Sequence, residues 1–295
     1  MPMSRTNYRL LFFAIFLLLV SLVLFCLDWK SSHRVLTFAA MNVGQGDALF
    51  IESPTGTQVL FDAGPPRSIL GPLSKVMPFY DKKIDALVIT NPDADHIGGF
   101  EDVMKNYKVD MLLEPGTFND SKIYQNLKEE IKAKNIPNVL ARRGMKMDIG
   151  GGAFIEILFP DRDVVDWAGN EGSVVAKLIY GDTSVMLTGD ATKETEKIIL
   201  SQASLAIKEN VQSVQSSVLK VGHHGSRTST SKEFVEAVSP TFAVISDGKN
   251  NNYGHPSVET LNLLNSSGIK ILRTDILGNI LMKSNGKEFT FSNFK

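Results

Sequence analysis

Two carboxylates and a histidine stand within four residues of one another in the segment TNPDADHIGG, residues 90–99. They are Asp93, Asp95 and His96, and the apolar run IDALVIT leads directly into them. A strand that ends in a glycine-containing loop is a rigid support for reactive side chains. Oxygen and nitrogen donors of this kind favour a divalent cation such as Zn²⁺ or Mn²⁺. The alternative is a polar loop in which Asp93 or Asp95 caps the following helix.

Two later segments repeat this arrangement of an apolar strand followed by glycine and a metal-binding type of residue. In LTGD the aspartate is Asp190, and in KVGHHGS the adjacent histidines are His223 and His224. A further histidine, His255, stands in the turn YGHP. Each histidine taken singly could equally be a structural residue, but four such loops in one chain favour a common site.

The composition limits the class of protein and the kind of metal site. Hydrophobic residues make up 43% of the chain and charged residues 21%, which is typical of a globular protein rather than a disordered one. The formal net charge of −1 provides no overall basic excess for holding a polyanion. Because Cys26 is the single cysteine, intrachain disulfides and cysteine-rich zinc modules are excluded. A metal must therefore be held by histidine and carboxylate.

The N-terminal region predicts attachment to a membrane. Residues 10–27 are uncharged and apolar, and as a helix they would span about 27 Å. Arg5 and Arg9 precede this run, so we expect an uncleaved, single-pass anchor in the cell membrane with an extracytoplasmic body. The alternatives are a cleaved signal peptide on a secreted protein and a buried core helix. The predicted organisation is an anchor and linker in 1–34 and one domain in 35–295.

The body alternates groups of short β-branched runs with helical segments, separated by glycine turns. The pattern predicts strands in 35–43, 48–52, 58–61, 84–90, 155–159, 174–180, 184–187, 218–221, 241–246, 270–273 and 279–283. It predicts helices in 122–134, 192–200, 232–238 and 257–264. Groups of strands with interspersed helices in both halves favour an α/β protein with two packed sheets and outer helices, an αββα sandwich.

Six motifs together make the chain recognisable. In chain order they are VGQGD (43–47), FDAG (61–64), the 90–99 segment, TGD (188–190), LKVGHHGS (219–226) and YGHP (253–256). In these motifs the chain resembles the metallo-β-lactamase superfamily, in particular the C-terminal domain of the competence DNA-uptake protein ComEC and its stand-alone relatives. The resemblance covers residues 35–283. It implies an αββα hydrolase domain with a metal site between the sheets, which uses a metal-bound hydroxide.

The resemblance also implies which residues hold the metal. Asp95 and His96 would bind one ion, with His223 or its neighbour His224 completing that side. Asp190 would bridge towards a second ion. Asp93 stands where this branch often replaces a histidine with aspartate, and it is predicted as a further ligand.

Other positions carry supporting or catalytic roles by the same resemblance. Asp62 is expected to order the ligand loop from behind, and Asp47 to lie on a loop near the mouth. Besides Asp95, the predicted catalytic residues are His224 and His255, either of which would stabilise developing charge or protonate a leaving group. The loop that starts at Ser226 suits a phosphate group, or else it caps the helix that follows.

Two departures from the family pattern weaken one side of the site. Asn91 stands where the family usually has histidine, and residues 170–173 (NEGS) replace a third histidine. A neutral amide is a poor ligand compared with imidazole. We therefore expect one firm divalent metal, Zn²⁺ or Mn²⁺, and a second that is weak or absent.

The expected function is metal-dependent hydrolysis of phosphodiesters, by a nuclease or a nucleotide phosphodiesterase, so that DNA or a nucleotide is the expected substrate. No basic stretch with interleaved aromatic residues supports binding of a long strand. Two alternatives stay open: a catalytically degenerate, membrane-tethered binding module, and a hydrolase of another ester, lactone or lactam. The sequence indicates no protein partner.

Overall fold

The N-terminal segment forms one long helix. The computed structural model describes residues 5–32, 35–207 and 214–294, and the chain divides into two compact units, 1–35 and 36–295. Residues 33 and 34, where the sequence placed the boundary, lie outside the described part. Helix α1 is Arg5–Ser32, and its stretch Asn7–Phe25 has a mean hydropathy of 2.5 with no side chain buried. By length and composition, this helix can cross a membrane.

The larger unit is built on two mixed sheets. The strands of the first sheet are β1 (Leu36–Ala40), β2 (Leu49–Glu52), β3 (Gln58–Phe61), β4 (Lys83–Val88), β5 (Lys108–Glu114), β6 (Asn138–Leu140), β14 (Asn279–Ser284) and β15 (Phe289–Phe294). Those of the second sheet are β7 (Lys146–Gly150), β8 (Ala153–Phe159), β9 (Val175–Tyr180), β10 (Thr183–Leu187), β11 (Val218–Lys220), β12 (Phe242–Ile245) and β13 (Lys270–Arg273). Their spatial orders are β15-β14-β1-β2-β3-β4-β5-β6 and β13-β12-β11-β10-β9-β8-β7.

Helices cover the outer faces of both sheets. They are α2 (Leu70–Val76), α3 (Ala94–Ile97), α4 (Phe100–Asn106), α5 (Lys122–Ala133), α6 (Lys193–Ile207), α7 (Lys232–Val238), α8 (Val258–Ser266) and α9 (Thr274–Leu277). One apolar cluster fills the space between the sheets, where Phe38 and Phe61 of the first meet Ile155 and Leu178 of the second. A second cluster joins the first sheet to α2, α4 and α5, and a third joins the second sheet to α6, α7 and α8. The predicted αββα layering is therefore confirmed.

Parallel strands in each sheet bring their carboxyl ends to a common edge. Strands β3 to β6 run parallel, with Phe61 opposite Val88 in the β3–β4 pair. Strands β10 to β13 are parallel in the same way. The loops after β4, β10 and β11 are the ones that carry the predicted ligands. Loops beyond the carboxyl ends of parallel strands are where α/β proteins commonly place their sites.

Every predicted strand and helix is present, with ends that differ by at most three residues, except that α6 extends to Ile207, seven residues beyond its predicted end. Several elements were missed, above all β5, β6, β7 and β15 and the short helices α2, α3, α4 and α9. The sequence of β5 (KVDMLLE) begins with charged residues, and that of β15 (FTFSNF) is largely exposed. Such edge or half-exposed strands have weak hydrophobic patterns, because their neighbours rather than their own burial stabilise them.

Candidate metal centre

The loop after β4 delivers His96 to the interior. Helix α3 is a single turn that begins after Asp93, and His96 is fully buried in it. Asp93 occupies the N-cap position, but its carboxylate makes no capping hydrogen bond. It accepts a hydrogen bond from Nδ2 of Asn119 at 3.1 Å instead. Helix capping therefore does not account for this acid.

The two adjacent histidines after β11 point in different directions. They lie in a short 3-10 turn, Gly222–Gly225, where His223 has φ 46° and His224 has φ 54°. Residues other than glycine rarely adopt this left-handed conformation, so the surrounding structure must hold it in place. The side chain of His224 is 1% exposed and that of His223 is 24% exposed. Only the second of the pair is therefore directed into the protein.

Ligand-type side chains from both sheets converge on one point. Nε2 of His96 lies 3.2 Å from Oδ2 of Asp190. Nε2 of His224 lies 3.3 Å from Oδ2 of Asp95 and 3.7 Å from Oδ1 of Asp190. One donor atom from each of Asp95, His96 and His224 lies within 4.8 Å of the other two. The cluster is thus formed by the loops after β4, β10 and β11.

The chemistry of these donors fits a divalent cation. Nε2 of His96, Nε2 of His224 and Oδ1 of Asp190 are buried and have no hydrogen-bond partner among the described residues. Buried polar atoms normally have such partners, and an ion is one explanation when they do not. Imidazole nitrogens together with carboxylate oxygens are donors that suit Zn²⁺ and related metals. We conclude that this cluster can hold a metal ion.

Asp62 contacts the cluster from behind. Its Oδ2 lies 2.8 Å from Nδ1 of His96, and it accepts hydrogen bonds from the backbone N–H and the hydroxyl of Thr90, at 2.8 and 2.5 Å. Asp62 is fully buried and has φ 55°. An acid on the far nitrogen of a ligating histidine fixes the ring orientation and leaves the other nitrogen facing the metal.

Asp47 is buried beneath His224 rather than placed at the mouth. Its side chain is 0% exposed, and its Oδ1 lies 3.5 Å from Nδ1 of His224. The other oxygen, Oδ2, lies 2.7 Å from Nζ of the equally buried Lys220. The glycine-rich turn before Asp47 explains the difference, because Gly46 packs against the backbone of Asp95, where a Cβ would clash at 2.1 Å. The segment therefore passes under the ligand loop.

The remaining predicted residues line the rim of the cluster or brace it. Nε2 of His223 lies 3.6 Å from Oδ2 of Asp190, and its ring is 5.4 Å from that of His255. Burial lowers the pKa of both His223 and His255, which favours the neutral form of both imidazoles. Ser226 is buried and accepts a hydrogen bond from the backbone of Thr228, while Ser231 caps α7. The capping role in this loop thus belongs to Ser231.

The other side of the family's site is closed by amides. Asn91 is fully buried, and its Nδ2 donates to Oδ1 of Asn170 at 2.5 Å. Its own Oδ1 accepts the backbone N–H of Asp93 at 3.0 Å. The donor clusters found among the described residues include neither Asp93 nor His223. The geometry therefore favours His224 over His223 as the ligand after β11, and it places Asn91 in a loop–loop contact.

The electrostatics of the cluster favour a bound positive charge. Burial on its own lowers the pKa of His96, but the carboxylates of Asp190 and Asp62 outweigh this effect and hold that pKa well above its usual value. At His224, burial also lowers the pKa, but the carboxylates of Asp190 and Asp47 outweigh this effect and raise the pKa of His224 to about 10. The pKa of Asp190 lies well below its usual range, because the nearby histidines outweigh burial. The site attracts protons or a cation.

A cavity of about 410 Å³ opens onto the cluster. Asp93, Asp95, His223 and His255 are among its lining residues, as is the exposed Tyr253. Sequence reasoning missed Tyr253 as a site residue, although it stands within the YGHP motif.

Lys220 and Asn119 were also missed as site residues. A lysine inside the apolar strand sequence VLKV was a detectable signal, since a strand buried on both faces has no room for a free ammonium. Asn119 stands in a loop with no strand or helix pattern before it, so only the folded chain reveals its contact with Asp93.

Comparisons with known proteins agree with this architecture. The sequence matches the metallo-beta-lactamase superfamily over residues 41–246, more than half of the chain. ComE operon protein 3 of Bacillus subtilis (strain 168) is 36% identical over 275 residues, which cover 85% of this chain and 33% of that protein. Competence protein ComA of Neisseria gonorrhoeae is 29% identical over 242 residues, which cover 80% of this chain and 30% of that protein. The chain thus spans about one third of the length of these relatives.

A solved structure shares the fold. CmlA, a diiron beta-hydroxylase from Streptomyces venezuelae, superposes with a TM-score of 0.53 at 15% identity, covering 88% of this chain and 54% of CmlA. At this identity the likeness concerns the fold alone. Three findings lead to one conclusion. They are the two packed sheets with outer helices, the histidine–carboxylate cluster at the strand ends, and the sequence match over residues 41–246. The chain belongs to the metallo-β-lactamase superfamily, and its curated relatives are ComEC-like competence proteins.

Proposed function

We propose that this protein is a membrane-anchored, metal-dependent hydrolase that cleaves phosphodiesters and uses one firmly bound divalent ion. The observation that carries the proposal is the convergence of buried, unpartnered donors on His96, His224 and Asp190. A bound Zn²⁺ or Mn²⁺ would lower the pKa of a water towards 7 and polarise the phosphoryl oxygen. Asp95, His96, His224 and Asp190 would hold the ion.

The residues at the rim would handle the substrate. His255 lines the cavity with its ring 5.4 Å from that of His223, so that an N–H of either ring can donate to an oxygen that gains charge. The sequence predicted a catalytic role for His224. Because His224 is buried within the donor cluster, we assign that role to His223 and His255 instead. Asp95 is 36% exposed at the side chain and reaches both the ion site and the cavity.

A phosphodiester substrate is supported by the relatives and by the rim. One relative is named competence protein ComA and another, from Haemophilus influenzae, is named Recombination protein 2; competence and recombination are processes that involve DNA. Arg227 is exposed in the loop that also holds His223, where it can attract an anion. Tyr253 offers an exposed aromatic face at the cavity. A nucleotide or a short single strand would use both features.

The decisive experiment measures metal and turnover together on the full-length chain in detergent, purified without chelators. We expect about one equivalent of metal and hydrolysis of thymidine 5′-p-nitrophenyl phosphate, with neither in a His96→Ala variant. Metal without hydrolysis of any phosphodiester would reject this substrate class, and assays with a lactone and a β-lactam would then test the other hydrolase classes. No metal after loading with Zn²⁺ or Mn²⁺ would reject the hydrolase itself.

One observation favours a second candidate, a tethered binding module. Asn91 and Asn170 bond to each other where the family resemblance implies metal ligands, so amides occupy one side of the expected site. If the protein is a binding module, it should fold and hydrolyse no ester, whether or not it binds metal. The same metal and turnover measurement separates it from the hydrolase.

The membrane anchor is part of the proposal and needs its own test. The apolar stretch Asn7–Phe25 would hold the protein in the cell membrane with its body on the extracytoplasmic side. Intact-mass measurement of the membrane fraction should find the full chain. A shortened chain in the medium would mean a cleaved signal peptide and a secreted enzyme.

A further inference from the structure

A lysine is buried in the core directly behind the donor cluster. Lys220 is the last residue of β11, and its side chain is 0% exposed. Its Nζ lies 2.7 Å from Oδ2 of Asp47 and donates to the backbone oxygen of Val221 at 2.9 Å. Removing an ammonium from water costs several kcal/mol, and only good pairing offsets that cost. If stability were the only requirement, an apolar residue at position 220 would avoid the cost of burying a charge.

The partner of this lysine faces His224. Oδ1 of Asp47 lies 3.5 Å from Nδ1 of His224, and the backbone oxygen of Ser246 lies 2.9 Å from the same nitrogen. Nδ1 donates its hydrogen to the backbone oxygen of Ser246, and the carboxylate of Asp47 lies beside this N–H as a charge contact rather than as its hydrogen-bond acceptor. Nε2 faces Asp95 and the rest of the cluster, where a bound cation would take the place of its hydrogen. A contiguous series of contacts therefore runs from Lys220 through Asp47 to the metal-facing nitrogen.

The charge of the lysine is also needed by the carboxylates around it. Asp47, Asp62 and Asp190 are all buried close to the two inner histidines. A divalent ion would balance part of this negative charge, and Lys220 pairs with Asp47 at 2.7 Å. Without the lysine, Asp47 would lose the ammonium that lies 2.7 Å from its Oδ2, and its carboxylate would be free to turn away from the ring.

We propose that Lys220 and Asp47 are positioning residues, which hold His224 in the orientation that ligates the cation. The inference rests on the proposed function only in requiring that a cation binds. It assigns a role to Lys220, which stands in the LKVGHHGS motif but was not among the predicted site residues. The competing explanation is that the ion pair serves the fold alone.

A double-mutant cycle separates these explanations. The variants are Lys220→Met, Asp47→Asn and the two combined, each made in the full-length chain. Two properties are measured: the unfolding midpoint with chelator present, and the Zn²⁺ affinity by competition with a chelating dye. The absorption spectrum of the Co²⁺-loaded protein reports on the ligand geometry.

We expect Lys220→Met to be strongly destabilised, because it leaves Asp47 unpaired, and the double variant to recover most of that loss. The double variant should nonetheless bind Zn²⁺ about 10- to 100-fold more weakly than the wild type, with an altered Co²⁺ spectrum. A double variant with wild-type Zn²⁺ affinity and spectrum would overturn the proposal. If the double variant fails to fold, the isosteric Asp47→Asn variant supplies the same comparison.

A matched control uses another buried acid with a lysine partner. Glu114 pairs with Lys128 and also accepts from Asn138, rather than contacting the histidine cluster. Lys128→Met combined with Glu114→Gln should alter the unfolding midpoint without changing Zn²⁺ affinity. An equal loss of affinity in this control would overturn the proposal, since the effect would then be general. Absence of metal in the wild type would instead reject the proposed function, independently of the variants.

Discussion

Nε2 of His224 lies 3.3 Å from Oδ2 of Asp95, although the two residues follow strands of different sheets. Asp95 belongs to the loop after β4 and His224 to the turn after β11. The donor cluster therefore exists only when the two sheets are packed together. Metal binding and packing of the sandwich should consequently stabilise each other, as expected of any ligand that binds the folded state.

The first prediction concerns the two adjacent histidines. His224→Ala removes a buried donor and should weaken Zn²⁺ binding by more than about 100-fold. His223→Ala should retain Zn²⁺ binding, because this side chain is partly exposed and lies 3.6 Å from Asp190 at the rim. Metal content after dialysis against a weak chelator measures both. Equal loss in the two variants would show that both histidines are ligands.

The second prediction concerns Asp62. Asp62→Asn weakens the interaction with Nδ1 of His96 and leaves one of the two donors from Thr90 poorly matched. We expect a loss of about 10- to 100-fold in Zn²⁺ affinity and about 1–3 kcal/mol in the free energy of unfolding of the metal-free protein. Chelator competition and chemical denaturation measure these quantities. Unchanged metal affinity would mean that His96 is oriented without this acid.

The third prediction concerns the second metal. Asn91→His supplies an imidazole beside Asp93 in place of the amide that bonds to Asn170. If the second ion is weak for want of a ligand, metal content should rise from about one equivalent towards two. Asn91→Ala is the matched control and should stay at one. A histidine variant that also stays at one would show that the missing ligand is not the limiting factor.

The fourth prediction concerns pH and Asp247. Its side chain is 0% exposed, and burial together with the nearby Asp275 raises its pKa to about 7, against an opposing effect of Arg273. The folded state thus holds this proton more tightly than the unfolded chain does. The corresponding stability is fully present below about pH 4 and is lost as the pH rises towards 7. Relative to Asp247→Asn, the wild type should therefore lose unfolding free energy across this range.

Denaturant unfolding of both proteins from pH 4 to pH 8 tests this, with chelator present to keep the metal from contributing. The difference between the two curves reports the titration of Asp247 together with its coupling to Asp275 and Arg273. Parallel curves would mean that its pKa in the folded protein is close to that in the unfolded chain.

The fifth prediction concerns substrate recognition at the rim. The ring of Tyr253 is 72% exposed and stacks on His255 at 5.9 Å with an interplanar angle of 25°. Asn251 braces the loop by accepting from the backbone of Tyr253 and donating to that of His255. Stacking of a base on an aromatic side chain contributes about 1–3 kcal/mol. Tyr253→Ala should therefore raise KM for a nucleoside ester by about 5- to 150-fold.

Two esters with the same leaving group provide the comparison. Thymidine 5′-p-nitrophenyl phosphate carries a base, whereas methyl p-nitrophenyl phosphate does not. The variant should change KM for the first and leave the second nearly unaffected. An equal change for both esters would mean that Tyr253 shapes the metal site rather than contacting a base.

Much of this protein could be predicted from local patterns. The alternation of β-branched residues located the central strands, and ligand-type residues directly after them marked the loops after β4, β10 and β11. These features are local, because a strand and the residue that follows it are adjacent in the chain. The apolar run near the N-terminus was equally clear, since a candidate membrane span needs only length and composition.

Tertiary structure decided which residue does what. Two adjacent histidines are equivalent in the sequence, and only the left-handed turn at His223 and His224 sends one ring inward and leaves the other at the rim. Asp47 is buried and pairs with Lys220, which stands 173 positions later in the chain (220 − 47). No local sequence pattern encodes such a contact. The sequence thus determined the family, the strands and the donor types. The packing of two sheets decided which donors meet, because side-chain direction and burial are properties of the folded whole.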